Sequence, residues 1–365
     1  MISEFKERIE KRHELGRQLK NDGKKIVACF YGLVPKELIH AAGIVPIQLI
    51  EERKSQYEEK SELLPYLCGM SKNLTGQIYA DVFDYVDGVM VGTVCDTNRH
   101  VLDIWAHRKL FSHLFLVRTP STASKTAVNY YTAELKRLAG ELEKISGTKV
   151  TADSLCASIA LYNESRELFG RFYDLRPKTA LSAESAVYIF SSALVTPVEE
   201  HNDMMRRLLS NLATDSGASN DIKLMLCAIN LNMAIDVIRM VEKYGGTVVT
   251  DDLTHNARYG SNTIDMDGDP FEALARGYLR KVPAPGIYSF EKRATEIKDR
   301  MTKAEARGMI YLIQLYCDAY AIEYAILKER FDAWNLPYLK LEAEDNPSSI
   351  EQLNVRIQSF VESLL

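Results

Sequence analysis

Apolar residues recur along this chain with two periods, and the two alternate. Residues 3–21 mix charges with apolar positions at helical spacing and predict an amphipathic opening helix. "GKKIVACFYG" then reads as a strand, and "VPKELIHAAG" as a helix with Pro35 in its first turn and Gly43 as its stop. "IVPIQLI" is a short strand, and "SELLPYLCGMSKNLTGQIYADVFDYV" is a loop running into a helix. "DGVMVGTV", "DTNRHVLDIWAHRKL" and "SHLFLVRTP" follow as strand, helix and strand. From about 121 to 215 only helix patterns appear, with Thr151 or Asp153 as the cap of the second.

Alternation resumes with "IKLMLCAINLNMAIDVIRMVEKYGGTVVTDDL", read as strand, helix, a Gly-Gly stop and strand. Residues 254–305 read as less regular, with "KVPAPG" as a turn. "RGMIYLIQLYCDAYAIEYAILKERFDAWNLPYLKLEAE" is strand, helix and strand again, and "SSIEQLNVRIQSFVESLL" closes as an amphipathic helix. Strand and helix in turn mark a parallel sheet covered on both faces. The two halves match in order: ACFYG with LMLCAIN, VPIQLI with TVVTDDL, GVMVGTVCD with IYLIQLYCD, HLFLV with PYLKL. The predicted fold is α/β: two similar doubly wound parallel-sheet domains joined by a helical segment. The boundaries are an N-terminal helix over 1–24, a first α/β domain over 25–120, helices over 121–215 and a second α/β domain over 216–365.

Composition narrows the classes. At 365 residues, 46% hydrophobic and 26% charged, the chain is an ordinary globular protein with room for two or three domains. A net charge of −5 argues against nucleic acid or an anionic membrane as the main partner. No apolar run reaches the roughly 18 residues of a membrane helix, and the charged opening lacks the apolar core of a signal peptide, so the cytoplasm is expected. In a reducing compartment the six scattered cysteines are not a disulfide framework, and no C-x-x-C pair exists. A metal site has to be assembled from distant segments.

Two cysteines repeat. Cys95 and Cys317 each end an apolar strand run and are each followed by Asp, at the same place in the two halves. In such sheets the carboxyl ends of the strands and the N-termini of the helices line the functional edge. A helix N-terminus favours the thiolate and is expected to lower these thiol pKa values. Cys68, in the loop "PYLCGM" beside Gly69, leaves the same edge. Cysteine is more often buried filler; that reading is taken for Cys29 and Cys227 inside strands and for Cys156 inside a helix.

"KIVACFYGLVPKELIHAAGIVPIQLI", "YVDGVMVGTVCDTNRHVLDIW" and "IYLIQLYCDAYAIEYAIL…NLPYLKLEAED…EQLNVRIQSFVESL" together resemble the benzoyl-CoA reductase / 2-hydroxyacyl-CoA dehydratase family, over nearly the whole chain and in order. The resemblance implies a [4Fe-4S] cluster held by three cysteines, which fall on Cys68, Cys95 and Cys317, with one iron left open. It implies pairing with a homologous second subunit as a heterodimer, and an ATP-hydrolysing iron–sulfur activator protein. The implied chemistry is one-electron reduction of an acyl-CoA thioester, as ring reduction of a benzoyl-CoA type or dehydration of a 2-hydroxyacyl-CoA. One departure stands out: where many members carry a further cysteine after the acidic pair, this chain has Thr254, and the extra cysteines of a double-cubane cluster are missing.

Other residues are weighed on position. Glu37 and Tyr31 stand near the first strand's end and are candidates for catalysis, Glu37 beside the substrate and Tyr31 as donor to a thioester carbonyl; the competing readings are a dipole partner and a packing ring. His40 shares the Glu37 helix. Asp96 and Asp318 are expected helix caps, and Asp251 with Asp252 ends a strand at the functional edge. Arg99 and Arg108 are solvated or meet CoA phosphates, and His100, His107 and His113 have no metal role. Two alternatives remain: a subunit that relays electrons without catalysing, and a cluster-free two-domain ligand-binding protein.

Overall fold

The structure is a computed structural model that describes residues 2–30, 33–53, 57, 63–179, 181–212, 222–253, 262–282, 285 and 289–365. Its eight described strands form two four-stranded parallel sheets. The first holds β1 (Lys25–Phe30), β2 (Ile44–Gln48), β3 (Gly88–Gly92) and β4 (Leu114–Val117) in the order β2-β1-β3-β4. The second holds β5 (Ile222–Ala228), β6 (Gly246–Leu253), β7 (Gly308–Gln314) and β8 (Tyr338–Ala343) in the order β6-β5-β7-β8. The orders are the same when the strands are counted within each half, so the duplicated pattern is a duplicated doubly wound fold. In both sheets the order reverses between the first and third strands, the place where such sheets open a crevice.

Strand pleating decides what each sheet face buries. Ile26, Ala28 and Phe30 lie in one core with Val89, Val91 and Trp105, while Val27 and Cys29 lie in another with Met90, Leu135 and Leu138. Both faces are apolar, so β1 reads as a continuous hydrophobic run rather than an alternation. In the second sheet Leu224, Leu226, Ile310 and Leu312 face one core, and Met225, Cys227, Met309 and Tyr311 face the other.

The helices that place the site are α3 (Lys36–Ala41), α4 (Gly69–Tyr79) and α5 (Asp96–His107) in the first half. Pro35 is the residue before α3 rather than inside its first turn, and Gly43 takes φ +73°, the left-handed backbone that ends a helix. The opening segment is two helices, α1 (Ile2–Glu10) and α2 (Arg12–Asn21). The helical stretch between the sheets holds α6 (Lys125–Ser146), α7 (Ala152–Leu175), α8 (Ala183–Ser192) and α9 (Val198–Asn211). Thr151, not Asp153, caps α7, in a reciprocal capping box with Ser154. Phe5 of α1 is buried with Phe169, Phe190 and Met204, which fastens the amino-terminal helix to this layer.

The sequence reading fails in one region. Helix α10 (Leu231–Lys243) is as expected, but residues read as irregular hold α11 (Pro270–Arg280) and α12 (Phe290–Lys303). Asp269 caps α11 through the Phe271 N–H. The buried face of α11, with Ala273, Leu274 and Tyr278, packs among Leu38, Leu135 and Ile159 in the core under the first sheet. A helix that belongs by position to the second half thus walls the first. The turn "KVPAPG" is only partly within the described residues. Helix α13 (Asp318–Ala333), α14 (Pro347–Glu351) and α15 (Asn354–Glu362) complete the second half.

Leu274→Ala removes a wholly buried side chain from this crossing helix. It should cost about 2–5 kcal/mol of stability, read from urea unfolding. Amide exchange should quicken in α6 and α7 before it does in β5 and β7; the reverse order would show that α11 belongs energetically to the second half.

Candidate metal centre

Cys68, Cys95 and Cys317 occupy the same structural position three times: each is the residue immediately before a helix. Cys68 precedes α4, Cys95 precedes α5 and Cys317 precedes α13. Cys95 follows the end of β3 and Cys317 the end of β7 by the same number of residues. Asp96 and Asp318 are therefore first helical residues rather than the expected caps. Backbone N–H groups two or three residues on polarise each sulfur: Ser71 for Cys68, Asn98 and Thr97 for Cys95, Tyr320 for Cys317. None forms a capping hydrogen bond to the thiol. The Cys68 thiol lies 3.2 Å from Ser71 Oγ.

The three loops come together. Charge on Cys68 is felt at Cys95, and charge on both is felt at Cys317. Lys72, one turn into α4, stands 5.9 Å over the ring of Tyr316, the neighbour of Cys317. Ile229 packs against the core that holds Cys68 and against the core beside Cys317. Among the described residues, no three His, Cys, Asp or Glu side chains gather closely enough to clasp a single metal ion.

The expected lowering of the thiol pKa values does not occur. Burial raises Cys68 above its ordinary value, Cys95 to about 11 and Cys317 to about 12. The helix N–H groups pull the other way and lose, because desolvation of a thiolate outweighs a partial dipole charge. Unmetallated, all three are neutral thiols at pH 7. Cys29 and Cys227 are core residues as read, with burial pushing Cys29 up to about 11, and Cys156 is half-buried on α7.

Residues 31–364 match the family described as 2-hydroxyglutaryl-CoA dehydratase, D-component. This chain belongs to that family. It is similar to one of the subunits of benzoyl-CoA reductase from Thauera aromatica, 27% identical over 93% of this chain and 91% of that protein. It is also similar to the (R)-phenyllactyl-CoA dehydratase beta subunit of Clostridium sporogenes, 22% identical over 100% and 98%. A third relative is the beta subunit of (R)-2-hydroxyglutaryl-CoA dehydratase from Acidaminococcus fermentans, 23% identical over 100% and 99%. Members of the family are enzyme subunits of the benzoyl-CoA reductase and 2-hydroxyacyl-CoA dehydratase type, and so is this chain.

In this dehydratase-family chain the helices that carry the thiols are held by buried polar contacts. Trp105 Nε1 of α5 donates to Thr75 Oγ1 of α4 at 3.2 Å, tying the Cys95 helix to the Cys68 helix. Helix α13 is anchored by Glu323, whose carboxylate receives Arg293 Nε at 2.8 Å and Tyr311 OH at 2.7 Å. Arg293 also lies 2.5 Å from Asp252, and these three charged side chains are wholly buried. Tyr320 OH donates to the carbonyl of Ala228 at 3.0 Å. Asp251 accepts from Tyr173 OH at 2.8 Å and sits 3.4 Å from Arg176. The acidic pair thus lies inside the fold as anchorage.

Glu37 is equally buried. Arg166 pairs with one carboxylate oxygen, Tyr278 OH donates to the other at 2.7 Å, and Ser158 Oγ donates to the Glu37 carbonyl at 2.7 Å. Burial by itself pushes this carboxyl up, but the Arg166 and Lys281 charges and the hydrogen bonds outweigh it and hold it at about 2. A carboxylate so low is ionised throughout the neutral range and is poorly matched to proton transfer there. His40 contacts Ser158 Oγ at 3.0 Å and Glu199 at 2.9 Å. Tyr31 and Thr254 lie outside the described residues. Arg99 is exposed and 3.7 Å from Asp96, Arg108 ends α5, His100 and His107 are exposed, and the His113 ring stacks on Phe115. Nothing local marks Arg166, Tyr278, Arg293 or Glu323: each finds its partner on a remote element.

Arg293→Met should cost about 3–5 kcal/mol, because it leaves Asp252 and Glu323 buried without their cation; replacing all three charges by apolar residues should recover most of that in the same urea titration. A single-variant loss below about 1 kcal/mol would show that water reaches this trio. For Glu37 the unfolded carboxyl has a pKa of about 4.3, above the folded value, so the unfolded chain takes up the proton first. Its stabilisation, about 3 kcal/mol, is complete above that pH and shrinks as pH falls through about 2. Urea midpoints followed from about pH 6 downward should show this acid limb in the native chain and a shallower one in Glu37→Gln.

Proposed function

We propose that this chain is the iron–sulfur subunit of an activator-driven enzyme that delivers single electrons to an acyl-CoA thioester, for ring reduction of a benzoyl-CoA type or dehydration of a 2-hydroxyacyl-CoA. One observation carries the reading: three thiols from three loops, each at a helix start, lie within electrostatic reach of one another at the carboxyl edges of two duplicated sheets.

The donor set fits a [4Fe-4S] cluster. Thiolates are its natural ligands, and three of them leave one iron for water or substrate. Cys68, Cys95 and Cys317 would hold it. Bound there, the cluster supplies one-electron chemistry at low potential. The chain's own contribution is threefold. Its thiols are protonated before loading, so metallation releases protons and is favoured by higher pH. Its helix N–H groups are aimed at the sulfurs and stabilise their charge once formed. Its buried Arg293 network holds α13, and with it Cys317, against the rest of the site. Glu37 serves from behind, fixing the start of α3. Arg99, exposed on α5, is available to a CoA phosphate.

The chain works with other proteins in this reading: a homologous second subunit and an ATP-hydrolysing iron–sulfur activator. The reading puts it in the cytoplasm; among the described residues no helix is long and apolar enough to cross a membrane. A relay role, with the acyl-CoA bound by the partner subunit, is favoured by one feature. Glu37, a candidate for chemistry at the end of β1, is locked in an internal ion pair with Arg166.

The test uses the capping position itself. Serine is a good residue before a helix, so Cys68→Ser, Cys95→Ser and Cys317→Ser should fold and melt like the parent. Anaerobically purified parent protein should be brown with about four irons per chain, and each variant should lose most of that iron. A colourless parent after reconstitution, or variants that keep full iron, would sink the proposal. In the complex with activator and ATP, variants that still bind acyl-CoA but pass no electrons would assign the relay role.

A further inference from the structure

The helices that begin with a cysteine share a second feature. Three residues on, Ser71 in α4, Asn98 in α5 and Tyr320 in α13 are polar and buried, with 0%, 2% and 1% of their surface exposed. Helices α3 and α10 also start at the sheet edges, after β1 and β5, but without a cysteine. At the same place they carry Leu38 and Met233, both wholly buried. An apolar residue is what the core asks for there. A polar one shut away from water costs stability unless something receives its hydrogen bonds.

The three side chains meet that cost differently. Tyr320 gives its hydroxyl proton to the Ala228 carbonyl at 3.0 Å. Ser71 Oγ lies 3.2 Å from the Cys68 sulfur, with the thiol as donor and the hydroxyl as acceptor. A metal-bound thiolate has no proton to give, so on loading this contact reverses and the hydroxyl donates. Asn98 Nδ2 is buried and meets no acceptor among the described residues. With Val101, Leu102 and Trp105, Asn98 lies on the inner face of α5, which packs in the core that holds Cys68 and Leu74. It is the member of that face nearest Cys95, whose sulfur is already polarised by the Asn98 backbone N–H. An amide with an unspent N–H thus stands at the thiol end of the seam between α4 and α5.

We infer that the Ser71 hydroxyl and the Asn98 side-chain amide donate hydrogen bonds to the sulfurs around Cys68 and Cys95 once the cluster is bound, and so raise its reduction potential. Each electron taken up places more negative charge on the sulfurs, and donors aimed at them favour the reduced state. Such partners orient and tune a metal group without ligating it. In the duplicated half Tyr320 stands at the same place with its proton given to a carbonyl, so these side-chain donors belong to one copy of the repeat. The inference rests on the proposed function in one respect, that a cluster occupies the three thiols.

The full chain, purified anaerobically and reconstituted, can be titrated with a reductant while the cluster is followed by electron paramagnetic resonance. Ser71→Ala and Asn98→Leu should keep their iron, and each should weaken the reduction equilibrium roughly ten-fold, about 59 mV for one electron. Asn98→Asp, which removes the donor and adds a negative charge, should lower the potential further. Ser71→Thr keeps the hydroxyl and should stay at the parental value. Thr75→Val is the structural control: it breaks the Trp105 bond deeper in the same seam. It should lower the melting temperature and leave the potential where it was. Iron-loaded Ser71→Ala and Asn98→Leu at the parental potential overturn the inference, as does a Thr75→Val shift of equal size. Loss of iron from either variant overturns it too, because the residue then acts in holding the cluster and not on its potential. Iron content separates the two readings: a parent without iron removes the proposed function, whereas a loaded parent with unmoved variants removes the tuning alone.

Discussion

Three thiols, each largely withdrawn from water at a helix start, are the constraint around which the rest of this protein is arranged. Each is uncomfortable as a thiolate, since desolvation costs more than the helix N–H groups return. Neutral, each gives its helix no cap. In the proposed reading the arrangement is completed by a group that accepts sulfur charge, and the fold holds the sulfurs in place for it. The Trp105–Thr75 bond and the Arg293 trio lock the three helices from behind, in the dry interior, where they do not compete with a ligand for space.

The two sheets contribute unequally. The first supplies Cys68 and Cys95 from neighbouring helices tied to each other; the second supplies Cys317 alone, on a helix pinned by an internal ion network. The network around Glu37 does similar work at the first sheet. Arg166 and Tyr278 reach it from α7 and α11, so the start of α3 is held by both the central helices and the crossing helix.

Much of this was legible in the residues. The strand and helix periods located all eight described strands, and the equal placement of Cys95 and Cys317 after matching strands, read from pattern alone, recurs in the fold. What stayed hidden shares one cause. Arg293, Glu323, Arg166 and Tyr278 look like surface residues until remote elements enclose them, because burial is a property of the assembled fold. The same blindness reversed the sign for the thiols: a helix dipole can be anticipated from local pattern, whereas the desolvation that overrules it cannot. Helices α11 and α12 have clear apolar faces and escaped because the turn-rich stretches around them masked their period.

The crossing of α11 has a consequence for the history and engineering of the molecule. A tandem repeat whose copies each keep their own walls can be cut in two, and either piece can drift or be swapped. Here the later copy lends a wall to the earlier one through Leu274 and Tyr278. The pieces are no longer interchangeable parts, and a chain divided at its midpoint would leave the amino-terminal fragment with an open flank.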